Sequence, residues 1–498
     1  MPLNRKARRQ FEEKLRPRRT QAVGVVTVGS VLASQASFIA PASAGATASS
    51  VVVTSCADSY AGSLRAAIDF ANSIADNTQV TFSVPPTCTT ISLESALPWI
   101  SKPIDIKGPG ANKLSIKYPS GERGSLFNSE ASGSLAISGL TLKGGSIFVR
   151  PTDFSSNSTV RINGIVINQS SAYDVLDLDS SGNSGSTAIV ENSTFTGIKS
   201  KPGSPINYLV FNSGYDLTFK NNTVVNNSFA ESMIYTQSAG NSLVEANTIV
   251  KNDTGTSGPT DGDTFAGVSL FGNLIAELDT SGNEVCETNV VDQGANLFDS
   301  QPTGCAVLPT GIQADGSSAV IANLTDTIAD SLTLDLGTTP TLELLAGSPA
   351  LNYYSLGDSG ISGTLPAKDQ RGLSRPYGTG YDVGALEYRP KVQPKVTPKS
   401  SKITFDSGSV VLSKAQKAKI KIAVSSASEN TKYVVTGTAG DLPNVSTKSE
   451  KALAKKRAKV VKKYLVKLGV SSKNIKIKTK ITRTGVKPVS VLVRYLAS

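Results

Sequence analysis

The sequence predicts an all-β, right-handed parallel β-helix followed by a small, strongly basic α/β domain. Five six-residue segments (137–142, 162–167, 190–195, 219–224 and 244–249) align without gaps at intervals of 25, 28, 29 and 25 residues. They begin on Ile137, Ile162, Val190, Phe219 and Val244, and end on Leu142, Ile167, Phe195, Val224 and Ile249. Gly, Asn, Ser and Thr fill the intervals. A strand recurring at this period is a solenoid signature, because no rung can bury its apolar face alone and rungs must stack. Gly139, Gly164 and Asn192 share one column, and Ser193, Asn222 and Asn247 the next, which suits stacked turns. The second observation is charge. Residues 391–498 hold 25 Lys and Arg against four acids, a net of +21, whereas 45–390 carry −16. Such a split implies two domains with different partners.

The chain opens on a basic run, Arg5, Lys6, Arg8, Arg9, Lys14, Arg16, Arg18 and Arg19, then an apolar stretch over 22–40, then Ala42-Ser43-Ala44. That order is expected of a cleaved secretory signal peptide over 1–44. The stretch is weakly apolar for a membrane anchor. No later segment is long and apolar enough to span a bilayer, so the mature chain should have no transmembrane segment.

Residues 45–390 form the predicted β-helix domain. Leu64, Ile68, Ala71 and Ile74 share one helical face, so a short amphipathic helix should cover the first rung. A covered end protects a parallel sheet from edge-on aggregation. Strand-like runs follow at 80–82, 90–93, 104–110 and 114–116. The four cysteines fall in two local sets near the ends of the solenoid, Cys56 with Cys88 and Cys286 with Cys305. Four cysteines allow three connectivities. An oxidising compartment favours bridging, and local pairing would staple terminal rungs. Zinc is the rival, but the spacing is foreign to zinc motifs and the chain has no histidine. The missing imidazole also removes Ser-His-Asp and Cys-His chemistry.

The run from Cys56 through Gly62-Ser63-Leu64-Arg65 to Asn72 resembles the secreted choice-of-anchor Q group of pectate-lyase-like parallel β-helices. So do Ile106-Lys107-Gly108-Pro109-Gly110-Ala111-Asn112, Ile137-Ser138-Gly139-Leu140-Thr141-Leu142 and Gly294-Ala295-Asn296-Leu297-Phe298. The far end agrees, through Gly347-Ser348-Pro349-Ala350, Asp369-Gln370-Arg371-Gly372, Arg375-Pro376 and Asp382-Val383-Gly384-Ala385-Leu386-Glu387. The resemblance implies fold and surface location over about 50–390. It names no activity.

Pro390, Pro394 and Pro398 among Lys, Val and Ser make 391–401 a stiff, extended linker. The tail, 402–498, reads β-α-β-α-β-β. Strands are expected near 403–405, 433–436, 475–481 and 489–495. Helices are expected over 413–427 and from a capping box of Thr447 and Glu450 to about Leu468, where Gly469 ends it. Leu453, Val461, Tyr464, Leu465 and Leu468 line the inner face. Lys451, Lys455, Lys459, Lys462 and Lys463 lie largely outside it. Thr404-Phe405-Asp406-Ser407-Gly408-Ser409, Gly437 and the run from Leu453 through Arg457-Ala458 to Gly469 resemble the C-terminal domain of the outer-membrane-protein-A family, which binds peptidoglycan. The resemblance implies that Arg457 and an Asp grip the diaminopimelate of the stem peptide. The Asp position falls on Gly440, with Asp441 one residue later, and the family's helix-leading Asn is Glu450.

Carboxylates are the remaining candidates for chemistry. Asp174, Asp177 and Asp179 are expected at a rung-edge loop, Asp261 and Asp263 in a Gly-rich loop, and Glu191 one rung from Lys220. Paired acids can serve glycoside hydrolysis, yet acids in polar solenoid turns are mostly solvated. We therefore expect no catalytic residue, metal or cofactor. Asp369, Gln370, Arg371, Arg375 and Asp382 are expected to form a capping salt-bridge cluster, with Asp382 as the partner of Arg371. The tail lysines are expected to meet wall polyanions rather than nucleic acid, since little aromatic interleaving accompanies them. The expected protein is secreted, extracellular or wall-associated. Its β-helix serves as a recognition or spacer module with a possible glycan or protein ligand, and its tail docks on peptidoglycan or an anionic wall polymer. A polysaccharide lyase or hydrolase, or an adhesin binding polyanions nonspecifically, are the alternatives.

Overall fold

The computed structural model describes residues 49–498 apart from 75–76, 120–123, 154–155, 171, 181–184, 201–204, 238–240, 256–262, 281, 288, 356, 364–365, 391–397, 407, 426–431, 441–445, 483–489 and 497–498. The expected signal peptide therefore lies outside the described residues, as does most of the linker.

Strands between Ser50–Val53 and Ala319–Val320 build a parallel β-helix from three sheets, two of ten strands and one of six. Every ladder among them is parallel and joins strands one rung apart. Ile137, Ile162, Val190, Phe219 and Val244 stack inside, fully buried. The rings of Phe195 and Phe219 meet at 5.7 Å.

The predicted period holds, but the six-residue segments are corners rather than single strands. Ile137 belongs to Ser134–Ser138 of the first sheet and Leu142 to Thr141–Gly144 of the second. Between them the chain turns through one left-handed residue. Gly139, Gly164, Asn192, Asn221 and Ala246 have φ of 64°, 61°, 56°, 51° and 53°. Gly and Asn tolerate that region best, which explains the first column.

The second column is a ladder of buried side chains. The Oδ1 atoms of Asn222, Asn247, Asn273 and Asn296 accept the backbone N–H of Ser193, Asn222, Asn247 and Asn273 at 2.9–3.0 Å. Their Nδ2 groups donate to the carbonyls of Val190, Phe219, Val244 and Leu270. A corner breaks the strand ladder, and these amides satisfy the backbone groups it leaves. Asn227 and Asn252 repeat the device between the second and third sheets.

Helix α1, Leu64–Ser73, begins where Ser63 Oγ accepts the N–H of Ala66. It buries Leu64, Ala67, Ile68 and Ala71, and contacts Ser50–Val53 and Thr78–Phe82 of the opening rungs. Cys56 is bonded to Cys88 and Cys286 to Cys305, the local pairing.

Past Val320 the chain leaves the rungs and returns along the corner between the first and second sheets. Thr339 donates to Asn192 O at 3.0 Å and Asn221 Nδ2 to Lys368 O at 2.8 Å. Gln370 donates to Ser193 O at 3.1 Å and accepts from Thr223 at 2.6 Å. Gly384 donates its N–H to Gly272 O at 2.9 Å. The far cassette is thus a lateral strap across several rungs, which corrects the expected capping role. Thr194, Thr223 and Thr248 sit at the corner with hydroxyls needing partners, and the strap supplies them.

The tail forms a four-stranded sheet in the order Pro398–Thr404, Ser490–Leu496, Tyr433–Gly440, Ile475–Thr482. Helices α2, Lys414–Ser425, and α3, Thr447–Lys467, accompany it. Ile403, Phe405, Ile420, Val435, Ala458, Val461, Leu465 and Val493 belong to its core. Gly437 permits the closest approach of α3: a Cβ there would stand 2.3 Å from Ala454 O. The cap of α3 differs from the expected box. Ser446 Oγ accepts the N–H of Ser449, so Glu450 lies one position too far along to cap. Gly469, with φ of 95°, ends the helix as expected.

Candidate functional site

Among the described residues of the tail Arg457 is the most buried charge, 1 % exposed on the inner face of α3. Its Nε donates to Ser409 O and its Nη2 to Asp406 O, both at 2.6 Å. Its guanidinium also stands 5.1 Å over the ring of Phe405. Burial holds its pKa below the ordinary value, opposed by the charges of Glu450 and Asp406. Arg457 therefore clamps the chain that follows the first tail strand, and only Nη1 lacks a hydrogen-bond partner.

Glu450, two turns earlier, is 5 % exposed, and its Oε2 has no hydrogen-bond partner either. Glu450 is thus buried on the inner side of the helix instead of capping its start. The spacing of seven, which puts two residues on one helix face, was the available signal. Asp441, the expected partner of Arg457, lies outside the described residues.

The lysines divide. Lys451, Lys455, Lys459 and Lys463 are exposed along α3. Lys462 is half-buried and donates to the carbonyls of Ser472 and Ile475, at 3.2 and 3.1 Å. It anchors the turn after α3, which corrects its place on the outer face. Lys476, Lys478 and Lys480 are exposed on alternate positions of the edge strand Ile475–Thr482. Their alternation with Ile475, Ile477 and Thr479 was legible as a strand with one charged face. Lysines on an edge also discourage strand pairing with another chain.

In the β-helix, Asp174 and Asp177 are buried within the strand Asp174–Asp179, not in a solvated loop. Asp179 pairs with Arg150 at 3.0 Å. Glu191 lies 3.3 Å from Arg161 and 3.7 Å from Lys220, a ladder of opposite charges across rungs. Asp261 is outside the described residues and Asp263 is half-buried. Among the described residues no group of three or more Cys, Asp or Glu is placed to hold a metal ion, and no helix is long and apolar enough to cross a membrane.

The strap carries a buried charge network. Arg371 pairs with Asp369 at 2.7 Å rather than with Asp382. Asp369 lies two residues away in the same turn, and its Oδ1 already accepts the N–H of Arg371. Asp382 instead accepts backbone N–H from Asn352 and Tyr388. Arg375 and Glu387, both fully buried side chains, meet at 3.2 Å. Burial pushes Asp382 up to about 6 and Glu245 up to about 7, the latter against the pull of Lys220 and Arg375.

No curated protein matches the chain. One family does match, over the part that carries the Arg457 clamp and the lysine-rich faces of α3 and the edge strand: residues 404–488 form an OmpA family domain.

Proposed function

We propose that this is a secreted wall-associated protein whose OmpA domain docks on the cell wall mainly through summed positive charge. The domains are a signal peptide over 1–44, a β-helix over 45–390, a linker over 391–401 and a docking domain over 402–498. The burial of Arg457 is the observation that carries the docking mode. With two of its donors committed to Asp406 and Ser409, it works first as an internal clamp. Lys451, Lys455, Lys459 and Lys463, with Lys476, Lys478 and Lys480, remain exposed to meet a polyanion. A net of +21 attracts such polymers over long range and in a salt-dependent way. The β-helix, at −16, is repelled by the same polymers. It serves as a non-catalytic spacer or recognition module held off the wall.

The test is co-sedimentation of the full mature chain with purified wall sacculi, before and after anionic polymers are stripped from them. Binding should fall sharply on stripping. Equal binding to both preparations would overturn charge-led docking.

A further inference from the structure

The helices of the tail pack on one face of its sheet, where Tyr433, Val435 and Ile475 join Ile420 of α2 and Ala458, Val461 and Leu465 of α3. Side chains alternate along a strand, so Val434, Thr436 and Thr438 belong to the opposite face, as do Lys476, Lys478 and Lys480. The two sets are register partners: Val434 with Lys476, Thr436 with Lys478, and Thr438 with Lys480. The three lysines are exposed and the two threonines half-buried. Neither strand contains Asp or Glu, and the one aromatic of the pair, Tyr433, lies in the core. Among the described strands Ile475–Thr482 pairs with Tyr433–Gly440 alone. Its other edge therefore keeps every second backbone N–H turned outward.

A polymer lying along this edge meets two rows of donors with one period. Lysines and outward N–H groups both recur every two residues, about 6.6 Å. The N–H groups are fixed in the backbone, so the period does not depend on flexible lysines. We propose that the edge strand Ile475–Thr482 seats an extended phosphodiester polymer with three carbons between successive phosphates. Such a repeat has six backbone bonds, twice the three of a peptide residue, and reaches roughly 7 Å when extended. Each phosphate takes a lysine ammonium and an edge N–H, both ordinary phosphate ligands. A five-carbon repeat has eight bonds, reaches roughly 9 Å and falls out of step after one unit. Lys451, Lys455 and Lys459 of α3 also recur at about 6 Å, but a helix spends its interior N–H groups internally and offers charge without fixed donors. With no outward aromatic on either strand, the bases of a single-stranded nucleic acid gain nothing here. The inference rests on the reading that this domain docks on wall polyanions, and it names the polymer.

The experiment is calorimetry on the full mature chain at one ionic strength, with a three-carbon phosphodiester polymer, a five-carbon one, polyglutamate and single-stranded DNA as probes. Wild type should bind the three-carbon polymer about tenfold more tightly per charge than the five-carbon polymer or polyglutamate, the worth of one retained charge-assisted hydrogen bond. Lys476→Gln, Lys478→Gln and Lys480→Gln together should erase that preference. Lys451→Gln, Lys455→Gln and Lys459→Gln remove the same charge from α3, and should weaken every probe alike while keeping it. Equal binding of the two phosphodiester polymers by wild type overturns the proposal, as do equal effects of the two triple variants. Tighter binding of DNA overturns it in favour of a nucleic acid, and tighter binding of polyglutamate in favour of an acidic protein surface. If the preference is missing while binding to sacculi still falls on stripping, the seat is wrong and charge-led docking stands. A preference that holds while sacculi bind equally before and after stripping keeps the seat and faults the docking reading.

Discussion

Asn222 and Asn247 occupy one column on successive rungs, and the side-chain oxygen of Asn247 accepts the backbone N–H of Asn222 at 2.9 Å. Asn247 Nδ2 donates to Phe219 O at the same distance. One side chain thus serves two buried backbone groups on the rung before its own.

Asn247→Ala should orphan both groups. At about 1–3 kcal/mol for each of the two buried unpaired groups, the loss should be about 2–6 kcal/mol in urea unfolding. Asn247→Ser should cost less, because Ser193 holds the same column and its Oγ accepts the N–H of Ile165. A change in Asn247→Ala no larger than that of a surface substitution, within about 0.5 kcal/mol, would contradict the ladder's role.

Arg375→Ala should release the strap. Glu387 would remain buried without its cation, a loss of about 3–5 kcal/mol. In hydrogen exchange the amides of Gln370, Val383 and Gly384 should lose protection, while those of Ile162 and Val190 keep theirs. Unchanged exchange at Gly384 would show that the strap does not depend on this pair.

Much of this was legible from the sequence, for a physical reason. Stacking forces equivalent residues into columns, so Gly139, Gly164 and Asn192 announced the turn and Asn222 and Asn247 the ladder. The strap was not legible. Gln370 meets Ser193 from 177 residues away, with no period linking them. Arg371 was misassigned for a different reason: Asp369, two residues away in the same turn, already accepts its backbone N–H and stands in reach of its guanidinium, whereas Asp382 is held by the N–H groups of Asn352 and Tyr388. In the tail, Arg457 was found, but its burial was not. Burial depends on Asp406 and Ser409, which reach it from across the domain.

The strap should also respond to pH. Asp382 and Glu245 have folded pKa values near 6 and 7, raised by burial above those of unfolded carboxylates. A raised acid pKa means the folded state holds the proton more tightly. Its stabilising contribution is complete below pH about 4 and is lost as pH rises through 6 to 7. Unfolding midpoints should therefore rise between pH 8 and 5, and Asp382→Asn with Glu245→Gln should flatten that rise. A midpoint that falls over this range in wild type and is unaltered in the variant would refute the assignment.

Reducing agent should lower the unfolding temperature. The two disulfides close segments of 32 and 19 residues near the two ends of the stack, where rungs have a neighbour on one side only. Closing a loop of ~15 residues contributes about 3 kcal/mol in the chain-entropy model. Identical melting with and without reductant would show that the end rungs are held by packing alone.

Docking by summed charge is most directly tested by a salt series on wall sacculi with the full mature chain. As ionic strength rises from about 0.01 to 1 M the Debye length shrinks from roughly 30 to 3 Å. Wild type should be released progressively over this range. Lys451→Gln, Lys455→Gln, Lys459→Gln and Lys463→Gln together should move release to lower salt, and Arg457→Lys should follow the wild-type curve. Binding that survives molar salt in wild type and is lost in Arg457→Lys would contradict the account.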